Sequence, residues 1–418
     1  VIWCGGNELA GPDRPLDDAH PVLAALREVV MREDPTRIWL PTSPTGPRFD
    51  NSLAAVAEDP RSLHDVHGPW EHQGLAEQHA LAGATTSLLH SEFGTEGLTN
   101  PETLAATVTD ADAPLDRSNP VMTHRGAWWI NEPFVQRVFG GGLDRDELIR
   151  ASQHLQADGL RTLIEGDRRR WPRNAGALPW QLNEPFPNAW CTAAVDWFGI
   201  PKAAYFAVAD AYASLYAGVS FASPALDGAG RVAVRPWVAN DHDRELADTL
   251  RLDVHDAAGR TVAEWSGELT AAANSVTDGG DVALVLAPRV DEAGDLLVLD
   301  ATFGGARTRR LLSRTADLAP MRHLLPASLD ARVEENRACW TLRLEATGDV
   351  AVVELRIADV RPLDWSDRPG HAYPDANFVT LLPGGQRAVT VDWHDVEPAD
   401  RRLRLTGWNV EPLELRGG

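Results

Sequence analysis

Two glutamates stand where a fold most readily places chemistry. Glu8 closes the segment Trp3-Cys4-Gly5-Gly6-Asn7-Glu8, and Glu92 lies in Leu89-His90-Ser91-Glu92-Phe93-Gly94. Each follows an apolar run that reads as a buried strand. In a parallel α/β barrel the C-terminal ends of the strands carry the active site, so a carboxylate there has a meaning beyond an exit to solvent. Two carboxylates around one bond are the apparatus for cleaving a glycosidic linkage. One acid protonates the leaving oxygen while the other carboxylate meets the anomeric carbon. A separation of about 5 to 5.5 Å implies a covalent glycosyl intermediate and retention of configuration. The two groups must then differ in environment, one kept protonated and one ionised.

The elements that would position them alternate along the first half of the chain. Val1 to Cys4 reads as a strand, and 21–32 as an amphipathic helix with Leu23, Leu26, Val29 and Val30 on one side. Strands are predicted over 37–40, 63–66, 87–90 and 177–182, and helices over 144–169 and 202–212. Alternating strand and helix implies a parallel sheet. From about Ser214 the pattern becomes a series of short alternating segments with turns such as Asp227-Gly228, which predicts two β-sandwiches meeting near Pro320. The expected division is 1–213, 214–320 and 321–418, and the class is α/β followed by all-β.

Composition narrows the function. The 418 residues carry 39 Lys and Arg against 61 Asp and Glu, a formal charge of −22, and Lys202 is the only lysine. No basic stripe is present to meet phosphates, so nucleic acid is not the expected partner. No apolar run approaches the roughly 18 residues of a membrane helix. Cys4, Cys191 and Cys339 have neither disulfide-framework nor zinc spacing. A domain seldom begins inside a strand, so the chain is expected to be a piece of a longer protein, with the cytoplasm slightly favoured over secretion. The oligomeric state is left open.

The residues around both glutamates resemble glycoside hydrolase family 2, and within it the β-mannosidases and their exo-β-glucosaminidase relatives. The likeness runs through Trp3-Cys4-Gly5-Gly6-Asn7-Glu8, Asp34-Pro35-Thr36-Arg37, Pro41-Thr42-Ser43-Pro44 and Ser91-Glu92-Phe93-Gly94. It is longest from Ala151-Ser152-Gln153-His154 through Trp180-Gln181-Leu182-Asn183-Glu184-Pro185 to Pro201-Lys202-Ala203-Ala204-Tyr205. In the sandwiches it is looser, around Asp375-Ala376-Asn377-Phe378 and Leu381-Leu382-Pro383-Gly384. The resemblance implies the C-terminal portion, strands four to eight, of a (β/α)₈ TIM barrel followed by two immunoglobulin-like sandwiches. It makes Glu8 the acid/base and Glu92 the nucleophile, with Asn7 on the sugar 2-hydroxyl and Trp180 as an apolar floor under the ring. It implies no cofactor and no metal, and a β-linked oligosaccharide or glycoside as substrate, with a terminal β-mannoside first and a β-glucosaminide or another β-hexoside second.

Glu184 stands where the mannosidases usually have Asp, and Thr95-Glu96-Gly97 and Asp65-Val66-His67-Gly68-Pro69-Trp70 also depart from the family pattern. His67 and Trp70 read as substrate contacts or as loop packing. His64, His67, His72 and His79 fall close together, which a metallo-hydrolase would also show, although a His bonded to a sugar or a catalytic carboxylate fits better. His90 belongs to the core or the barrel interior. Trp128-Trp129 suits a substrate rim, a domain contact or core. A carbohydrate-binding protein without turnover is the rival of another class, and binding alone has no need of two carboxylates around one bond.

Overall fold

The computed structural model describes residues 2–12, 14–110, 113–124, 126–228, 230–336, 338–363 and 370–417. Val1, read as the start of the first strand, lies outside them. The first half runs β1 (Ile2–Cys4), α1 (Pro21–Glu33), β2 (Ile38–Leu40), α2 (Leu53–Glu58), β3 (Asp65–His67), α3 (Leu75–Ala84), β4 (Leu89–Phe93), β5 (Gly97–Leu98), α4 (Pro101–Thr107), α5 (Glu132–Phe139), α6 (Arg145–Arg168), β6 (Ala177–Pro179), β7 (Trp190–Cys191) and α7 (Ala203–Ala211). β1 and β2 pair in parallel, as do β3, β4 and β6 in that order. The strands are short, and 177–182, read as one strand, is regular only to Pro179.

The two series of alternating segments form four-stranded sheets. The first comprises β8 (Leu215–Phe221), β9 (Arg231–Asn240), β10 (Leu246–Asp256), β11 (Thr261–Ala271), β12 (Ser275–Asp278), β13 (Val282–Val285), β14 (Leu296–Phe303) and β15 (Ala306–Ser313). The second comprises β16 (Leu329–Glu335), β17 (Cys339–Ala346), β18 (Val352–Asp359), β19 (His371–Pro374), β20 (Val379–Leu381), β21 (Gln386–His394), β22 (Arg402–Thr406) and β23 (Leu413–Arg416). Each series makes two sheets, β11-β10-β14-β15 with β8, β9, β12 and β13, then β16-β17-β21-β19 with β20-β18-β22-β23. Inward-facing aliphatics close each pair, among them Leu250, Leu252, Leu297 and Leu299 in the first and Leu342, Leu355, Val389 and Leu405 in the second. The chain is therefore mostly β with few helices, and no helix among the described residues is long and apolar enough to cross a membrane.

Helix α6 organises the molecule. Asp144 caps it, accepting from the Glu147 N–H at 2.8 Å while Glu147 accepts from the Asp144 N–H at 3.0 Å. This reciprocal cap satisfies two donors that a helix start otherwise leaves unpaired. The buried face of α6 holds the segment after Glu92: Ser152 accepts from the Leu98 N–H, and Gln153 donates to the Leu98 carbonyl. The opposite contacts reach the sandwiches. His154 meets Glu354 at 2.7 Å, the Trp408 indole donates to the same carboxylate at 2.8 Å, and Phe139 stacks on Trp408 at 5.4 Å. Arg356 forks onto Glu102 at 3.0 and 2.6 Å.

His72 is buried against the Phe134 ring at 5.2 Å, with its Nδ1 accepting from the Gly74 N–H. Burial pushes its imidazole down to about 4, against the pull of Asp158. The unfolded chain takes this proton near 6.5 and the fold refuses it until about 4, so stability is full above 6.5 and falls as the pH drops between the two. Replacing His72 with Asn, whose amide oxygen can still accept from Gly74, should remove about 3 kcal/mol of that acid-side loss. Urea unfolding at pH 4.5 and 7 checks it, and an unchanged difference between the two pH values refutes it.

Candidate active site

Glu8 is placed by the pairing of two strand ends. Beyond β1 and β2 the parallel alignment continues as a bridge between Asn7 and Ser43, and the Glu8 N–H donates to the Ser43 carbonyl at 2.7 Å. Glu8 itself takes φ of +52°, a left-handed conformation that costs an ordinary residue about 1 to 3 kcal/mol and is tolerated where function requires it. Asn7 is exposed beside it.

Glu92 is the fourth residue of β4, in register with His67 across a β-bulge. The end of β4 is clamped on both sides. The Gly68 N–H donates to the Glu92 carbonyl at 2.7 Å, the Gly94 N–H to Pro69, and the Trp180 N–H to Phe93 at 2.6 Å. A Cβ on Gly94 would lie 2.7 Å from the Trp180 carbonyl oxygen, so only glycine permits this approach.

These strand ends bring the predicted residues together. Nδ1 of His67 lies 2.9 Å from Glu8 Oε1 and 3.7 Å from Glu92 Oε2, and oxygens of the two glutamates and the His67 nitrogen all fall within 4.8 Å of one another. The Trp70 indole N–H donates to Glu92 Oε1 at 2.8 Å. Glu8 is 37% exposed in its side chain and Glu92 15%, so the two carboxylates do occupy different environments. Burial raises the Glu92 carboxyl above its usual range, the Trp70 hydrogen bond and His67 pull it down, and Glu8 adds to the rise. The Trp70 indole N–H is a donor that lets a half-buried carboxylate stay anionic.

Trp180 stacks on Trp129 with centroids 5.7 Å apart and planes 21° from parallel, and Trp128 lies beyond at 6.4 Å, 62% exposed. The loop carrying this pair is tied by Asn131, which donates to Glu96, four residues past Glu92. Burial pushes Glu96 up to about 7.

His67 is buried, and both of its ring nitrogens face protein groups, Nε2 lying 3.1 Å from Ser43 Oγ. The four clustered histidines do not assemble: His64 is exposed, His72 and His79 pack on Phe134 and Phe221, and only His67 reaches the glutamates. Among the described residues, Glu8, His67 and Glu92 form the one set of three side chains close enough to share a cation. His90 is core, bonded to Asp167 at 2.8 Å and to the Gly68 carbonyl. Glu184 is buried, with the Asn188 N–H at 3.1 Å, and burial raises it to about 7 against the attraction of Lys202.

Sequence reasoning passed over Ser43, Asp65 and Ser91 as functional groups. Ser43 Oγ lies 2.9 Å from Asp65 Oδ2 and 2.8 Å from Ser91 Oγ, and Ser91 donates to the other Asp65 oxygen. For Asp65 and Ser91 the available signal was position, since each lies in a strand that carries a candidate residue, whereas Ser43 follows β2, which carries none.

Residues 308–410 match the family described as the exo-beta-D-glucosaminidase Ig-fold domain. Beta-mannosidase B of Aspergillus terreus is 28% identical over 201 residues, 46% of this chain and 23% of that protein. Its counterpart in Aspergillus clavatus is 25% identical over 287 residues, 60% of this chain and 32% of that protein. Over about half its length the chain is similar to β-mannosidases. It spans about a quarter to a third of the length of those curated relatives. Its fold is that of about half of two solved proteins. The beta-D-mannosidase of Dictyoglomus thermophilum superposes with a TM-score of 0.73 at 19% identity, over 98% of this chain and 48% of that one. The Amycolatopsis orientalis exo-chitosanase, in complex with PNP-beta-D-glucosamine, gives 0.74 at 16% identity, over 100% and 51%.

Proposed function

We propose that this chain carries the catalytic pair of a retaining, exo-acting β-glycosidase that removes terminal β-mannosides. The observation that carries the reading is the meeting of Glu8 and Glu92 at the ends of parallel strands, with carboxylate oxygens within 4.8 Å. That spacing suits attack by a carboxylate and leaves no room for a water between the acid and the nucleophile, as an inverting site requires.

In this reading β1, β2, β3, β4 and β6 are strands four to eight of a (β/α)₈ barrel over 1–213, with sandwiches over 214–320 and 321–418. Glu92 attacks the anomeric carbon as Glu8 protonates the leaving oxygen, and Glu8 then takes a proton from the water that releases the sugar. Asn7, exposed beside Glu8, bonds the 2-hydroxyl, and Trp180 underlies the ring. Trp70 holds Glu92 as the anion. No cofactor is needed. The family match at 308–410 and the fold shared with an exo-chitosanase favour exo-β-glucosaminidase as the second reading.

The uncovered apolar residues of the first half support a larger protein around this chain. Leu26 and Val29 on α1, Ile38 on β2 and Leu178 on β6 are all exposed. Activity is accordingly a property of the full-length protein.

Incubating that protein with 2-deoxy-2-fluoro-β-mannosyl fluoride and mapping the labelled peptide by mass spectrometry tests the reading. A label on Glu92 is expected. Absence of label with turnover of other aryl β-glycosides discards the mannoside, and silence on every glycoside leaves the carbohydrate-binding reading in its place.

A further inference from the structure

His67 carries more information than a contact to Glu8, because its surroundings fix where its protons sit. Asp65 is buried, and three donors converge on its carboxylate: Ser91 Oγ on Oδ1, Ser43 Oγ at 2.9 Å on Oδ2 and the Thr45 N–H at 3.3 Å on Oδ2. A serine hydroxyl has one proton. Ser91 gives its proton to Asp65, and Ser43 gives its own to Asp65 or to Ser91, 2.8 Å away. Neither arrangement leaves Ser43 a proton for His67. The 3.1 Å contact between Ser43 Oγ and His67 Nε2 is then made by an Nε2–H donating to the serine oxygen. Nδ1 lies 2.9 Å from Glu8 Oε1, so one proton lies between them, and Nδ1 is a bare lone pair when that proton is on the Glu8 carboxyl.

We propose that His67 is a positioning residue for the acid: the Ser43–Asp65–Ser91 cluster locks it as the Nε2–H tautomer, and its Nδ1 accepts the Glu8 carboxyl proton between turnovers. The inference rests on the reading of Glu8 as the acid/base. In the empty site the Glu8 O–H points at Nδ1, which orders the carboxyl. In the first step that proton passes to the glycosidic oxygen as the C1–O bond breaks, the bonding pair stays with the departing alcohol, and Glu92 forms its bond to C1. Glu8 is left as a carboxylate whose oxygen faces the Nδ1 lone pair. Two lone pairs at hydrogen-bond distance repel, so Glu8 readily takes the proton of the water that attacks C1, while the electron pair of the Glu92–C1 bond returns to Glu92. His67 ends with the proton it began with. Phe49 and Trp70 meet its ring edge-on at 6.0 and 6.4 Å, which holds its plane without engaging the nitrogens.

The test uses leaving groups in the full-length protein. A β-linked disaccharide needs a proton on its departing oxygen, whereas a 2,4-dinitrophenyl β-glycoside does not. His67→Phe keeps the ring and deletes both nitrogens. Asp65→Asn keeps His67 and frees Ser43 to donate to it, which moves the imidazole proton to Nδ1. Both variants should lower kcat/KM on the disaccharide about 100-fold and on the dinitrophenyl glycoside less than about 3-fold. Equal losses on the two substrates would mean a merely structural role and would overturn the proposal. A wild type that turns over neither substrate overturns the glycosidase reading itself, and this inference with it. Independently of activity or of either variant's folding, the ¹⁵N spectrum of histidine-labelled wild type reads the tautomer. A pyridine-like Nδ1 and pyrrole-like Nε2 are expected for His67, and a proton resident on Nδ1 refutes the lock.

Discussion

Glu92→Gln in the full-length protein is expected to lower kcat on every β-glycoside by on the order of 10⁴-fold or more, because removing a covalent nucleophile removes both half-reactions. The loss should not depend on the leaving group, which separates it from any change at Glu8 or His67. Binding should survive, since the amide keeps the size of the carboxyl and its oxygen can still accept from the Trp70 indole, 2.8 Å away in the native chain. Titration calorimetry with the sugar product should give an affinity within a few-fold of wild type. Glu92→Ala supplies the complement: azide entering the space of the missing carboxylate should yield the α-glycosyl azide, the anomer that attack from the Glu92 side produces. Turnover of the Gln variant at near wild-type rate would remove Glu92 from the mechanism. Retention of binding with loss of turnover would dispose of the non-catalytic reading.

The second large effect lies far from the glutamates. Arg310, on β15, is buried at the junction with α6, where Nη2 donates to Thr162 at 2.9 Å and lies 3.4 Å from Asp158 and 3.8 Å from Glu165. Burial raises the Asp158 carboxyl, yet Arg310 and nearby histidines overcome it and hold it down at about 2. Removing one member of a buried ion cluster strands the others without compensation, at about 3 to 5 kcal/mol. Arg310→Ala should therefore lower the stability of the chain by that order at pH 7. The Asp158 contribution is present above its unfolded value of 3.8 and vanishes as the pH falls through about 2, so the penalty should shrink at strongly acid pH. Urea midpoints across pH 2.5 to 7 measure both features, and a loss below about 1 kcal/mol at pH 7 would show that water reaches these carboxylates.

Much of this site was legible from residue types at strand ends, because an apolar run followed by Asn-Glu or Ser-Glu marks both the strand and its exit. Helix α6 was legible for a second reason, since its Asp144-x-x-Glu147 start and its apolar spacing agree. The helices over 53–58, 75–84, 101–107 and 132–139 were not. They are short, and two of them begin at or beside Pro101 and Pro133, which read as punctuation rather than as first turns. The assembly of the Ser43–Asp65–Ser91 cluster was not legible for another reason: Asp65 and Ser91 lie on the paired strands β3 and β4, and Ser43 reaches them from the segment after β2, a contact that only the tertiary fold makes. On α1 the periodicity gave a helix correctly, but Leu23 alone of its apolar side is buried. A pattern states which face seeks cover, and α1 leaves most of that face open.

One position gives the molecule an unusual chemical character. Lys202, the sole lysine, is buried at the start of α7 with its ammonium donating to the carbonyls of Gly97 and Cys191 at 3.3 Å each. Burial lowers its proton affinity, against the nearby Glu184. The folded surface thus carries no side-chain amine. Acylating reagents, amine-directed crosslinkers and isopeptide-forming enzymes find no lysine to attack until this part of the core opens, so the reactivity of one side chain reports on the integrity of the half that holds Glu92.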